Sequence, residues 1–215
     1  MEANIIYNID CLTGLRNLPD DSIDCCVTSP PYFNLRDYGV SGQIGLEDTP
    51  EQYIQKLVGV FHEVRRVLAP AGTLWVNIGD CYAGSGKGAA NYPDNAMKYK
   101  QGTNRGTVGR SAIVKKFDGY KSKDLIGIPW MLAFALRADG WFLRQDIIWA
   151  KPNPMPESMK DRCTKSHEYI FLLTKSPKYY FDCEAIHEKA VTSGTIPTNA
   201  PRYGGNKYTA TPEKF

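Results

Sequence analysis

A short segment after an apolar run has the chemistry of a clamp for an amino group. Residues 23–27 predict a buried strand, and the chain then reads Ser-Pro-Pro-Tyr over residues 29–32. The two prolines lack backbone N–H groups and fix φ, so the strand must end there and the backbone must stiffen. The Ser29 hydroxyl and the Pro30 carbonyl oxygen could accept hydrogen bonds from a planar amino group, while the Tyr32 ring could stack on the ring that carries it. An ordinary Pro-Pro turn is the alternative, and this tetrapeptide alone does not decide between the two.

A long basic segment is the second feature that could bind a ligand. Residues 81–123 hold nine basic and two acidic side chains, whereas the whole chain has a net charge of +3, so the rest of the chain is net negative. A loop of this length inside a domain is usually functional or disordered, and its charge favours a polyanion. An ordinary solvated loop is the alternative. The side chains that we expect at phosphate groups are Lys98, Lys100, Arg105, Arg110, Lys115, Lys116 and, outside the segment, Lys151.

Bulk composition excludes several classes of protein. A chain of 215 residues predicts one domain of ordinary size, and the sequence has no apolar run of 18 residues that would predict a transmembrane helix. The N-terminus lacks the basic and apolar regions of a signal peptide. The six cysteines include no C-x-x-C pair and the three histidines are scattered, so we expect buried, reduced thiols, no metal site and a cytoplasmic protein.

Hydrophobic periodicity predicts the elements that position these residues. Thr49 and Pro50 suit the N-cap and first position of a helix, which we expect to run to residue 68. Other helices are predicted at residues 13–18 and 124–138, and strands at 5–7, 23–27, 73–78, 142–150 and 168–174. This order favours an α/β fold with a mainly parallel sheet.

Several blocks in the chain, taken in order, resemble the DNA amino-methyltransferases. These enzymes use S-adenosylmethionine to methylate cytosine N4 or adenine N6, and their signature is (Ser/Asp/Asn)-Pro-Pro-(Tyr/Phe). The Val-Thr-Ser-Pro-Pro-Tyr form found here resembles the cytosine-N4 branch most. The resemblance covers roughly residues 4–183. It includes the blocks at residues 7–12, 18–24, 72–80, 149–153 and 167–171.

The resemblance implies a fold and a reaction. It implies a Rossmann-like methyltransferase fold in which residues 1–182 form the catalytic core and residues 183–215 begin a flexible target-recognition region. The substrate would be a base flipped out of double-stranded DNA, with Ser29 and Pro30 at its amino group and Tyr32 stacked on its ring. An acid in the block of Asp10 and Cys11 would lie close to S-adenosylmethionine, although Asp10 also suits an ordinary turn after a strand.

One part of the family pattern is missing from the sequence. The cofactor loop Phe-x-Gly-x-Gly should follow the recognition region, and residues 182–215 contain nothing of that form. We therefore expect a fold that is incomplete at its C-terminus, either a fragment of a longer enzyme or half of a split enzyme completed by a second polypeptide. Three functions stay open: a restriction-modification methyltransferase acting on cytosine N4 before adenine N6, a non-catalytic DNA-binding remnant, and an enzyme that methylates RNA or a protein glutamine.

Overall fold

The computed structural model describes residues 4–84, 117–154, 156–157 and 159–187. The chain divides into two compact units, residues 1–180 and 181–215. In the first unit the elements are α1 (Cys11–Arg16), β1 (Ile23–Thr28), α2 (Pro50–Val67), β2 (Leu68–Ile78), α3 (Ile128–Ala138), β3 (Phe142–Ala150) and β4 (His167–Thr174). In the described part of the second unit, a turn of 3-10 helix spans Glu184–Ile186.

The α/β class is confirmed, but the sheet is mixed rather than mainly parallel. Its strand order is β1-β2-β4-β3. Strands β1 and β2 are parallel, whereas β4 runs antiparallel to both β2 and β3. A parallel neighbour requires a crossover, which α2 supplies between β1 and β2. The connection from β3 to β4, residues 151–166, contains no helix in its described part, so the chain returns beside β3 in the opposite direction.

Helix α2 starts as predicted and brings an apolar face to the sheet. The Thr49 hydroxyl accepts a hydrogen bond from the Gln52 N–H at 3.2 Å, and Pro50 occupies the first turn. Leu57 and Phe61 are almost fully buried, and each such side chain contributes about 1.5–3 kcal/mol by leaving water. The same apolar cluster contains Leu74, Val76 and Ile78 of β2, Leu132 and Leu136 of α3, and Phe171 and Leu173 of β4.

One predicted strand is absent, strand β2 begins at Leu68 rather than at residue 73, and two helices begin at other residues than predicted for local reasons. Residues 5–7 form no strand, and the Ile6 side chain is 98% exposed because none of the described strands pairs with that segment. Helix α1 begins at Cys11, two residues early, because the Asp10 carboxylate caps it. Helix α3 begins at Ile128 rather than at residue 124, because Gly127 has a φ of +84°, which a helix of L-residues cannot continue.

Asp80 joins the two ends of the basic segment. Its Oδ1 accepts hydrogen bonds from the N–H groups of Cys81, Gly127 and Ile128 at 2.9, 3.0 and 3.0 Å. Between these points, the Ala83 N–H donates to the Asp124 carbonyl at 2.8 Å. Both ends of the basic segment therefore lie just beyond the carboxyl end of β2.

The second face of the sheet is open in the described part of the chain. Val27, Trp75, Trp149 and Ile170, one from each strand, line a shallow cavity of about 290 Å³ together with Ser29 and Asn77. Val27 is 78% exposed and Trp149 is 57% exposed. None of the described helices is long and apolar enough to cross a membrane. Within the described residues, the core thus lies on one side of the sheet.

The cysteines are less buried than the sequence suggests. All six are free thiols, and Cys25 is exposed because it lies two residues before Val27 in β1, on the same open face of the sheet. Cys26 is partly covered, and burial raises the pKa of its thiol to about 11, so it stays protonated at neutral pH.

Gly59 offers a test of the helix assignment. It lies on the exposed side of α2, and a Cβ added there meets no atom within 4 Å. We predict that Gly59→Ala raises the free energy of unfolding by about 0.5–1 kcal/mol, because alanine has less backbone freedom to lose. Urea denaturation measures the change. Unchanged or lower stability would contradict a regular helix at this position.

Candidate active site

The Ser-Pro-Pro-Tyr segment lies at the carboxyl end of β1, as its sequence suggests. The parallel register that pairs Thr28 with Val76 brings the Ser29 hydroxyl within 3.4 Å of Asn77 Oδ1. Together with Leu35, Arg36 and Tyr38, residues 29–32 line a cavity of about 370 Å³. Small-molecule sites usually enclose about 300–1,000 Å³, so the cavity can hold a group the size of a nucleobase.

The backbone carbonyls of this segment have different partners. The Tyr53 hydroxyl donates to the Pro31 carbonyl at 2.8 Å, and the Leu35 N–H donates to the Tyr32 carbonyl at 3.3 Å. Burial raises the pKa of Tyr53 far above its ordinary value, so its hydroxyl remains a donor. None of the described residues donates a hydrogen bond to the Pro30 carbonyl. Among the described residues, no donor therefore competes with a ligand for the Pro30 carbonyl oxygen.

Tyr32 is held at its hydroxyl by two other strands. The hydroxyl lies 3.0 Å from Asn77 Oδ1, at the end of β2, and 3.0 Å from Glu168 Oε2, in β4. Burial raises the pKa of Tyr32 to about 12, and the negative charge of Glu168 also raises it. The phenol therefore stays protonated at neutral pH and acts as a hydrogen-bond donor.

The Tyr32 ring lies directly against the backbone of Gly79. A Cβ added at Gly79 would stand 2.5 Å from Cε2 and 2.8 Å from Cδ2 of the ring, far closer than real contacts. Only a residue without a side chain leaves room for the ring in this place. The ring is thus pinned between the Gly79 backbone and its hydroxyl partners, which fixes its plane.

Glu168 and Lys151 form an ion pair behind Tyr32. Lys151 Nζ contacts Glu168 Oε1, and the Lys151 N–H donates to the Ser166 carbonyl at 2.8 Å, which ties the end of β3 to the start of β4. Burial acts to raise the pKa of Glu168, but the hydrogen bonds from Lys151 and Tyr32 and the charge of Lys151 outweigh it and hold the pKa below its ordinary value. Glu168 is therefore ionised at neutral pH.

The sequence alone did not predict that Asn77, Gly79 and Glu168 contact Tyr32. The signal for them is that blocks 72–80 and 167–171 resemble family blocks. A block match does not give contacts, and Tyr32 and Glu168 are 136 residues apart in the chain. Lys151 was predicted at a phosphate group, and the structure gives it a carboxylate partner.

The other predicted site residues lie elsewhere or outside the described chain. Asp10 and Cys11 are exposed at the start of α1, where Asp10 Oδ1 accepts from the Thr13 N–H at 3.0 Å and the Thr13 hydroxyl at 3.2 Å. The backbone hydrogen bond from Thr13 lowers the pKa of Asp10. Burial raises the pKa of Cys11. The predicted phosphate ligands outside the described residues are Lys98, Lys100, Arg105, Arg110, Lys115 and Lys116.

One end of the basic segment packs next to the site. Phe117 lies 5.4 Å from Phe33, centroid to centroid, and Phe33 also contacts the Tyr53 ring at 5.3 Å. Within the described parts of the chain, no three histidine, cysteine or acidic side chains are grouped to hold a metal ion. The site thus consists of hydrogen-bond acceptors, one pinned aromatic ring and the ends of a basic segment.

Comparison with known proteins identifies the family. The sequence profile of the N6/N4 DNA methylase family matches residues 23–201 of this chain. That range includes residues 29–32, β2 and β4. The chain belongs to the DNA methylase family.

The relatives are longer than this chain. Type II methyltransferase M.Cfr9I from Citrobacter freundii is 52% identical over 189 residues, covering 88% of this chain and 60% of the relative. Type II methyltransferase M.SmaI from Serratia marcescens is 51% identical over 185 residues, covering 84% of this chain and 59% of the relative. The chain therefore spans about 60% of the length of these curated relatives.

A solved structure agrees with the fold. The PvuII DNA methyltransferase (cytosine-N4-specific) superposes with a TM-score of 0.53 at 17% identity, covering 82% of this chain and 50% of that one. The likeness supports a Rossmann-like methyltransferase fold, and at this identity it bears on the fold alone.

Gly79 tests how firmly Tyr32 is pinned. We predict that Gly79→Ala displaces the ring and costs about 1–3 kcal/mol of stability, because the hydroxyl contacts to Asn77 and Glu168 keep the ring from yielding to the new methyl group. Urea denaturation measures the cost, and the ¹³Cζ resonance of Tyr32, assigned by its loss in Tyr32→Phe, reports the displacement. Gly59→Ala is the matched control. A Gly79→Ala protein with the stability and Tyr32 resonance of the wild type would contradict the packing.

Proposed function

We propose that this chain carries the base-binding part of a DNA methyltransferase that transfers a methyl group from S-adenosylmethionine to the exocyclic amino group of a flipped base, cytosine N4 in preference to adenine N6. The observation that carries the proposal is the juxtaposition of the Ser29 hydroxyl, the available Pro30 carbonyl and the pinned Tyr32 ring around one cavity. The match to the DNA methylase family supports it.

The chemistry of an aromatic amino group explains why these residues suffice. Its nitrogen is nearly planar because the lone pair is delocalised into the ring, and it must become pyramidal to attack a methyl carbon. Acceptors placed out of the ring plane, here Ser29 Oγ and the Pro30 carbonyl, favour that geometry by accepting the amino protons. The Tyr32 ring would stack on the base. Most of the acceleration of methyl transfer would come from alignment of the amino nitrogen, the methyl carbon and the sulfur. Ser29 Oγ and the Pro30 carbonyl would hold the amino protons while the nitrogen takes the methyl group that S-adenosylmethionine would supply on becoming a neutral thioether, and the proton released afterwards would pass to solvent.

S-adenosylmethionine, when bound, supplies an electrophilic methyl group on a positively charged sulfur. Asp10 and Cys11 are the residues that we propose near it. Both described hydrogen bonds to the Asp10 side chain reach Oδ1, and its lowered pKa keeps the exposed carboxylate charged. An ionised, exposed acid suits the hydroxyl or ammonium groups of such a cofactor. Asp10 therefore fits the cofactor as a charged hydrogen-bond acceptor for its donor groups.

The basic segment is the part that we propose to contact DNA phosphates. Its charge supplies affinity without sequence information, so its binding would weaken steeply with salt. Both of its ends are tied beside the candidate active site by Asp80 and by the packing of Phe117 on Phe33. Residues 183–215 are the proposed start of the target-recognition region. The preference for cytosine N4 is supported by the Thr-Ser form that precedes the prolines.

Nucleoside analysis tests the reaction. We predict that DNA incubated with this chain, S-adenosylmethionine and the part of M.Cfr9I that this chain does not match gains N4-methylcytosine, measured by mass spectrometry. Ser29→Ala should lower the rate about 10- to 100-fold, because one acceptor for the amino group is lost. Ser22→Ala is the matched control, since Ser22 precedes β1 and its hydroxyl donates only to the Pro19 carbonyl among the described residues.

The possible outcomes separate the open functions. N6-methyladenine without N4-methylcytosine would overturn the preference for cytosine. DNA binding without methyl transfer would favour the non-catalytic remnant. Methyl groups that appear in RNA or protein, but not in DNA, would point to the third hypothesis.

The open face of the sheet is where we propose that a complementing segment binds. Parallel strands are normally covered on both faces, and an unpaired edge strand invites a further strand. Among the described strands β1 lies at the edge of the sheet, and Val27 and Trp149 expose apolar surface beside Ser29. The relatives contain additional length that this chain does not match, so the occupant that we propose is the polypeptide corresponding to that length. It would complete the site from the side of the methyl donor.

Substitution of Val27 tests this surface. We predict that Val27→Asp weakens binding of the unmatched part of M.Cfr9I at least about tenfold, measured by isothermal titration calorimetry, because a carboxylate would be buried without a partner. Val40→Asp is the matched control, since Val40 is 65% exposed in the loop between β1 and α2. Circular dichroism checks that both variants fold. Equal affinity of the Val27→Asp variant and the wild type would exclude this face.

A further inference from the structure

The hydroxyl groups of Tyr32 and Ser29 share one acceptor, Asn77 Oδ1. Tyr32 and Ser29 each have one hydroxyl proton to donate. Asn77 Oδ1 lies within reach of both, at 3.0 Å from Tyr32 and 3.4 Å from Ser29, whereas the Glu168 carboxylate contacts Tyr32 alone of the two. An amide oxygen has two lone pairs, so Asn77 Oδ1 can accept from both hydroxyls, but it serves Ser29 alone when the Tyr32 proton goes to Glu168.

The orientation of Asn77 is fixed independently of these hydroxyls. Its Nδ2 donates to the Tyr169 carbonyl of β4 at 3.1 Å, so Oδ1 must point toward Ser29 and Tyr32. Asn77 is thus an acceptor on this side, and it is a neutral one. The competing acceptor, Glu168, is ionised and held in place by Lys151. Hydrogen bonds to a charged acceptor are roughly twice as strong as neutral ones, so the Tyr32 proton goes to Glu168.

We propose that Glu168, fixed by Lys151, is a positioning residue that takes the Tyr32 hydroxyl proton, so that Asn77 Oδ1 is not shared and orients the Ser29 hydroxyl alone. With its proton directed to Asn77, the Ser29 oxygen presents its lone pairs to the cavity. That is the state in which Ser29 can accept a hydrogen bond from an amino group. The inference rests on the proposed function for its consequence in the reaction, but the hydrogen-bond arrangement itself concerns only this chain.

The arrangement also assigns a role to Lys151 that differs from a phosphate contact. The Lys151 backbone is bonded to Ser166, which places its ammonium group at Glu168 Oε1 while Oε2 faces Tyr32. One carboxylate therefore links the ends of β3 and β4 to the tyrosine at the end of β1. Loss of the lysine would leave a partly buried carboxylate without its cation.

A double-mutant cycle tests the proposal. We expect Glu168→Gln to lower kcat for DNA methylation about tenfold with KM for DNA unchanged, because the residue orients the site and touches no substrate. In a Tyr32→Phe background, Glu168→Gln should have no further effect on kcat, since it acts through the missing hydroxyl. Glu63→Gln is the matched control, because Glu63 is also paired with a basic side chain and its side chain is 22% exposed, against 21% for Glu168.

A spectroscopic measurement that does not depend on catalysis tests the hydrogen-bond arrangement separately from the proposed methyltransferase function. The ¹³Cζ resonance of Tyr32 in the chain alone should shift in Glu168→Gln and stay unchanged in Glu63→Gln. Three outcomes would each overturn the inference. The first is a Tyr32 resonance that does not shift in Glu168→Gln, and the second is full additivity of the effects of Glu168→Gln and Tyr32→Phe on kcat. The third is a Glu168→Gln enzyme as active as the Glu63→Gln control. If the resonance shifts in Glu168→Gln, but the wild-type chain transfers no methyl group even with the unmatched part of M.Cfr9I present, the hydrogen-bond arrangement is supported and the proposed function is overturned instead.

Discussion

The packing of one tyrosine ring on a glycine backbone is the constraint on which the candidate site depends. Tyr32 can sit where it does only because Gly79 has no side chain, and its hydroxyl then reaches Asn77 and Glu168. These contacts join the segment after β1 to the ends of β2 and β4. The site is therefore rigid because three strands hold it, in addition to the stiffness that two prolines give the backbone.

The mixed sheet is what brings these groups together. A strand in a purely parallel sheet would place its amino end away from the carboxyl ends of β1 and β2. Because β4 runs antiparallel to β2, Glu168 near its start lies at the same edge of the sheet as Ser29 and Gly79. Lys151 lies just beyond the end of β3, which runs in the same direction as β1 and β2 and therefore ends at that same edge. The reversal of β4 thus brings the Glu168 carboxylate to the tyrosine hydroxyl, beside a lysine that β3 already places there.

In the described part of the chain, one face of the sheet is covered by helices and the other is open. Helices α2 and α3 bury apolar side chains on one side, while Val27, Trp75 and Trp149 line a shallow cavity on the other. Apolar surface of this kind on a parallel edge strand marks an interface more often than a finished surface. The open face lies beside Ser29, so whatever covers it would also close the candidate site from that direction.

Local features of the sequence determined much of the fold and the core of the site. The proline pair, the Thr49 cap and the spacing of apolar residues in α2 act within a few residues of themselves, so they could be predicted without a structure. Tertiary structure alone decided the direction of β4, the absence of a strand at residues 5–7, and the partners of Tyr32. Those outcomes depend on contacts between residues up to 136 positions apart, and no local preference encodes them.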